Sequence, residues 1–411
     1  MSLPITFQAF IRFATGPAFG NAIVLGDPTS PLGTGVLGTQ AARPIDVTAY
    51  VQQASIRRGR TRILDKFDAG SATIVLRDLD GTFDPDNGTY AGELLPMRQV
   101  QLRGTYGGTT RNLFAGFIES IDYQYETGAD IGYVTINAVD TFRLLNLATI
   151  STVTNAVTGE RTDQRITAIF DEISWPASLR NLDVGDSTIA ADPGSDRSIL
   201  DAVNAVTDVE LGAFYITPTG TARFVSRLNT IRDSSGTPTE FTDTGVGISY
   251  QGIQFAHDEA LLANKVTVER TGGTAQTVSD ATSIDTYFER TLEKTGLLLE
   301  TDGEALNQAR SLLAAKKDAQ LRIEAIELDC GQDDASRLAA ALDTDFFDPI
   351  KVTRTQPGGG TITRSLTVQG IEHDIAPNSW RTTFSTAEAV VKGFILNSSI
   401  AGVLGDDVLA Y

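Results

Sequence analysis

The sequence predicts a mainly β chain of the α+β class, organised around two similar β-domains. Three observations predict it. First, one hairpin pattern occurs twice. Val100-Gln101-Leu102-Arg103, Gly107-Gly108-Thr109 and Gly116-Phe117-Ile118-Glu119 form the first copy, and Val352-Thr353-Arg354, Gly359-Gly360-Thr361 and Gly370-Ile371-Glu372 the second. Each is followed by a loop and an aromatic strand, Tyr133-Val134-Thr135-Ile136 or Trp380-Arg381-Thr382-Thr383-Phe384. Glycine supplies the positive φ of tight hairpins, and two such units in one chain imply an internal pseudo-symmetry. Second, residues 47–150 read as continuous strand. Third, helical periodicity is concentrated between the two copies, in 151–240 and around 276–318.

In chain order, Ile5-Thr6-Phe7-Gln8-Ala9-Phe10-Ile11 starts as a strand and leads into a Gly- and Pro-rich extended arm, giving an N-terminal segment 1–46. The first β-domain spans 47–150, with strands at Ser71–Leu76, Val100–Leu102, Phe117–Tyr123 and Tyr133–Val139. An α/β insert spans 151–240. Ile166, Ile169, Phe170 and Ile173 form one helical stripe, and Ile199, Ala202, Val203 and Val206 form another. A hairpin with a Pro218-Thr219-Gly220 turn follows. The second β-domain, 241–389, is discontinuous and includes the strand Lys265–Glu269. Its helical insert, 276–318, carries the stripe Leu306, Ala309, Leu312 and Leu313, with Asp302 as N-cap and Lys316-Lys317 near the C-terminus. Arg322–Leu328 alternates like a half-exposed strand, and a short helix lies around Leu338–Leu342. Residues 390–411 form a C-terminal arm. The two apolar arms hold Val36, Leu37, Val403 and Leu404 and either pack on their own domains or dock on a neighbouring subunit.

Composition limits the chemistry. The 411 residues, 41% of them apolar, support several cores. No apolar run is long enough to span a membrane. The N-terminus lacks a signal-peptide pattern, so a cytoplasmic site of synthesis is expected. The single cysteine, Cys330, excludes an internal disulfide and reads as a small buried side chain. A formal charge of −19 opposes docking on nucleic acid, whose affinity comes from Lys and Arg. His257 and His373, the two histidines, lie far apart without metal-spaced partners. Asp78-Leu79-Asp80-Gly81-Thr82-Phe83-Asp84 fails the calcium-loop spacing and reads as an Asp-Gly turn. Arg57-Arg58-Gly59-Arg60 reads as a solvated strand edge or a set of ion pairs. No catalytic, cofactor or metal site is nominated, and no enzyme activity is expected. The residues singled out are the hairpin turns Gly107, Gly108, Gly116, Gly359, Gly360 and Gly370.

Ser55-Ile56-Arg57-Arg58-Gly59-Arg60, Phe67-Asp68-Ala69-Gly70, Phe83-Asp84-Pro85, Leu113-Phe114-Ala115-Gly116-Phe117-Ile118-Glu119, Asn264-Lys265-Val266-Thr267-Val268, Ser283-Ile284-Asp285, Gly370-Ile371-Glu372-His373 and Trp380 occur in that order. In these the chain resembles minor tail proteins, the baseplate tail hubs of long-tailed bacteriophages. The resemblance covers nearly the whole chain. It departs at Phe288, where the pattern has glycine.

The resemblance implies two tube-like β-barrels per chain and a homotrimer at the distal end of the virion tail. Such a hub closes the tail tube, touches a distal tail or tube ring protein and tip, fibre or receptor-binding proteins, and forms part of the DNA ejection channel. DNA would be passing cargo, and contact with the host envelope transient. Three chains with two similar barrels each match a six-fold ring. The alternatives are a hexameric distal tail ring protein and a carbohydrate-binding host-adsorption protein. Against the latter, Trp175 and Trp380 are the only tryptophans. A cell-wall hydrolase is disfavoured because little chain follows the last β-segment.

Overall fold

A computed structural model describes residues 3–13, 44–60, 66–126, 131–234, 236–257, 259–319, 321–332 and 334–388. Val36, Leu37, Val403 and Leu404, the proposed docking positions of the two arms, lie outside the described residues.

The chain is mainly β, and among the described residues its largest sheet has thirteen strands. We number these β1 (Thr6–Ile11), β2 (Ile45–Asp46), β3 (Val51–Gly59), β4 (Asp68–Asp78), β5 (Gln99–Tyr106), β6 (Thr109–Tyr125), β7 (Gly132–Val139), β8 (Thr239–Thr242), β9 (Gly252–Ala256), β10 (Arg322–Asp329), β11 (Pro349–Thr355), β12 (Thr361–Ala376) and β13 (Ser379–Ala387). The first half runs β3-β4-β7-β6-β5-β1-β2. The second runs β9-β10-β13-β12-β11-β8. Its six strands therefore repeat the order of the first six.

The repeat holds at residue level. Ala54, Ile74, Ile136 and Ile121 stand side by side across β3, β4, β7 and β6. Ile253, Ile326, Phe384 and Ile371 do the same across β9, β10, β13 and β12. In both halves the long strand slips one residue against its successor just before this row, between Ile118 and Ser120 and between Val368 and Gly370. Such a bulge explains why Phe117–Tyr123 alternates imperfectly in sequence. Ile74, Ile136, Ile326 and Phe384 are fully buried, so the row lies in the core. One strand breaks the match: β1 pairs with β5 antiparallel, whereas β8 pairs with β11 in parallel.

Among the described residues no ladder closes on itself, so closed barrels are not seen; the halves share one continuous sheet. Strand length explains how the halves are joined. β11 accompanies β12 only as far as Thr367, and the overhanging residues 370–375 pair with β3.

The helices are α1 (Phe142–Leu147), α2 (Thr162–Glu172), α3 (Ile199–Glu210), α4 (Arg227–Ser234), α5 (Ala281–Tyr287), α6 (Asp302–Lys316) and α7 (Ala335–Asp343). The stripes expected on α2 and α3 are buried except for the half-buried Ile173; the two helices pack on each other, and α3 also on Ala213–Ile216 of a small sheet with Ala222–Val225 and Arg180–Leu182. Thr301, not Asp302, caps α6 by accepting from the Glu304 amide, and Glu304 reaches back to the Thr301 amide. Lys265–Arg270 differs from expectation. It pairs with Gln276–Ser279 and Thr291–Leu297 in a separate three-stranded sheet packed on α6, outside the thirteen-stranded sheet. Its alternation marks a half-buried strand but carries no information about which sheet recruits it.

Candidate functional site

The site with the most built-in constraint is the seam where β3 of the first half meets β12 of the second. The ladder is antiparallel, with Gly59 opposite Gly370, Ile56 opposite His373 and Ala54 opposite Ile375. Gly59 has φ +98°, and a Cβ there would lie 2.4 Å from the Gln369 carbonyl oxygen and 2.6 Å from the Gly370 Cα. A Cβ on Gly370 would lie 2.8 Å from the Arg60 carbonyl. Only a pair of glycines lets the two backbones approach this closely. The Arg60 amide donates to the Gln369 carbonyl at 2.9 Å and closes the ladder.

Beside the glycines, Arg58 and Arg60 leave β3 with side chains engaged by the other half. Arg58, nearly buried, donates to Asp345 at 3.3 Å and lies over the Phe346 ring at 4.8 Å. Arg60 donates from Nε to Gln369 at 2.9 Å and lies 4.6 Å from the Phe67 ring centroid. Phe67, Tyr215 and Phe346 pack at 5.0–5.2 Å between centroids, joining the first half, the α/β insert and the second half. Of the basic run, Arg57 is exposed, whereas Arg58 and Arg60 are engaged across the seam, Arg58 through the ion pair with Asp345 that was one of the two expectations. β3 is a central strand, and cation–π contact with desolvated rings holds its arginines. Sequence reading missed this cluster because its members are far apart in the chain; the Phe346-Phe347 doublet was its one visible sign.

Burial sets the charge states here. Asp140 accepts from the Gly70 and Phe142 amides at 2.7 and 2.9 Å. Desolvation nevertheless raises its pKa to about 7, against those bonds and the nearby Arg58. His373 pairs through Nδ1 with Thr382 at 3.0 Å, and burial, reinforced by Arg58, lowers its pKa to about 3. It is a neutral core residue. Cys330 is buried, and desolvation pushes its thiol up to about 11, far from a reactive thiolate. Asp78 accepts from the Thr82 and Phe83 amides at 3.0 and 2.9 Å, as an Asp-Gly turn requires. Among the described residues no group of three or more His, Cys, Asp or Glu side chains could hold a metal.

The glycines predicted as turns divide. Gly107 and Gly108, at φ +57° and +78°, form the two-residue turn between β5 and β6. In the second hairpin the positive φ falls on Gly358 and Gly359, while Gly360 accepts the Gln356 amide. Both tips are exposed. Gly116 and Gly370 are not turn residues. Gly116 lies within β6 opposite Val100, where a Cβ would meet the Val139 carbonyl at 2.3 Å. The ladders match Gly370 with Ser120 rather than with Gly116.

No family model matches the sequence, and no curated protein matches it. Solved structures do match. A tail protein from Neisseria meningitidis MC58 superposes with a TM-score of 0.59 at 12% identity, covering 93% of this chain and 96% of its own. The 43 kDa tail protein of prophage MuSo2 from Shewanella oneidensis superposes with a TM-score of 0.57 at 11% identity, covering 84% and 96%. The fold is that of phage tail proteins. Within the tail-protein fold of this chain, the Gly59–Gly370 seam is where the two halves are locked into one body.

Proposed function

We propose that this protein is a structural tail hub, a trimeric adaptor at the distal end of a phage tail tube. It closes the tube, links it to tip or fibre proteins and lines part of the path of ejected DNA. The observation that supports this most strongly is the repeated order β3-β4-β7-β6-β5-β1 and β9-β10-β13-β12-β11-β8 within one chain. Three copies present six similar units, so a three-fold assembly docks on a six-fold ring with one kind of contact. The seam fixes the spacing of the two units in each chain. The role is structural, and its partners are proteins above and below in the tail.

Native mass measurement tests the reading. A particle of three times the 43.9 kDa chain mass agrees with it. A particle of six chains identifies the hexameric distal ring instead, and a single chain at the highest soluble concentration overturns both. The charge of −19 suits passage of DNA without adhesion. A mobility-shift titration at low salt is expected to show no retention of duplex DNA; tight retention contradicts the role as a channel for passing DNA.

A further inference from the structure

The two halves are equivalent in strand order but not in what covers them. In the second half, the row Ile371, His373 and Ile375 on β12 is 4–5% exposed because β3 lies across it. The ladders match Ile371 with Ile121, so the counterparts of His373 and Ile375 are Tyr123 and Tyr125 on β6. Among the described residues no strand pairs with that edge of β6 beyond Phe117, where β5 ends. Ile121 and Tyr123 are half-buried, and Tyr125 is 60% exposed.

The opposite deficit exists at β9. Its counterpart β3 has a neighbour on each edge, β4 and β12, and Ala54 and Ile56 are fully buried. β9 has only β10 among the described strands, and Ile253 and Phe255 are half-buried. One chain thus carries both halves of a second seam at two places, each without a partner strand among the described residues. An open edge of this kind is a template for pairing with another chain.

We infer that β9 of one copy pairs antiparallel with residues 120–125 of β6 in a second copy, repeating between chains the β3–β12 ladder within a chain. This rests on the trimeric reading above, and it supplies the contact that closes the ring. The register follows from the internal seam. Ser55 and Ala54 face Asp374 and Ile375, so Gln254 faces Gln124 and Ile253 faces Tyr125 of the neighbour. Aromatic residues opposite β-branched ones are favourable cross-strand pairs.

The test uses the full chain carrying Gln254→Cys and Gln124→Cys together, oxidised mildly and run on a non-reducing gel beside each single variant. The native Cys330 is buried and does not compete. The double variant is expected to give covalent products ending at three chains, and the single variants none. Tyr125→Asp, placed at an exposed position, is expected to reduce the native mass to one chain that keeps the parent's circular dichroism spectrum. A native trimer that neither cross-links nor responds to Tyr125→Asp overturns the strand pairing and leaves the trimer standing. A native mass other than three chains overturns the trimeric reading itself.

Discussion

Gly59 and Gly370 face each other across the ladder that joins the two halves, with no room for a methyl group between the strands. Two glycines from distant parts of the chain therefore set how closely the two β-units approach at their shared ladder.

Gly59→Ala is expected to destabilise the protein by about 3 kcal/mol or more, adding left-handed strain to a backbone clash. Gly108→Ala is the control. Its φ is also positive, at +78°, but a Cβ there meets nothing within 4 Å. It should cost about 1–2 kcal/mol from strain alone. Urea unfolding of both variants reads the difference; equal costs would show that the seam is not tightly packed.

Two buried titratable groups near Arg58, Asp140 and His373, predict opposing pH slopes. Asp140 holds its proton to about pH 7 in the folded chain and loses it near pH 4 when unfolded. The folded state then binds more protons, so its contribution falls as pH rises from about 4 to 7. His373 protonates near pH 6.5 unfolded but only at about 3 folded, so its contribution is lost as pH falls from about 6.5 toward 3. Asp140→Asn should become more stable relative to the parent as pH rises through the first window. His373→Gln should gain on the parent as pH falls through the second. Denaturant midpoints measured across pH 4–7 check both signs.

Phe288 occupies φ +62°, ψ 168°, a region almost confined to glycine, and its side chain is 84% exposed. Asn264 holds it there, donating to the Phe288 carbonyl at 2.8 Å and accepting from the Arg290 amide at 2.7 Å. Phe288→Gly is expected to stabilise the chain by about 1 kcal/mol, since strain is relieved and little burial is lost. A lower melting temperature would show that the ring makes a stabilising contact.

Arg111 forms a salt bridge with Asp343 at the end of α7, tying the first hairpin to the second half. The pair is partly exposed, so Asp343→Ala should cost no more than about 1 kcal/mol. The loss should shrink further in high salt. A large salt-independent loss in thermal melts would mean that α7 has moved.

Local features were legible in the sequence wherever chemistry is local. Gly107-Gly108, the stripes of α2 and α3 and the Pro218-Thr219-Gly220 turn all report conformations set within a few residues, while the glycine expected at position 288 came only from the family resemblance. Which strand pairs with which was not legible. Lys265–Arg270 alternates like any half-buried strand, so its place in the smaller sheet had no local signature. Gly370 looked like part of a hairpin because its true partner, Gly59, lies more than three hundred positions away. Arg58 and Arg60 read as a solvated edge or as ion pairs, and Arg58 does pair with Asp345, but their ring partners Phe67 and Phe346 reach them only through tertiary packing. The duplication itself was visible, since the two hairpins preserve their glycines. Its alignment was four residues out at Gly116, because the bulges that set the ladder leave no mark in composition.

The central claim is that two equivalent β-units in each chain let three chains imitate six. Axial class averages of the purified native particle by electron microscopy test it most directly. The account predicts a ring of six similar lobes built from three chains, alternating slightly around a three-fold axis. A ring of three lobes, or six lobes each of one whole chain, would contradict it.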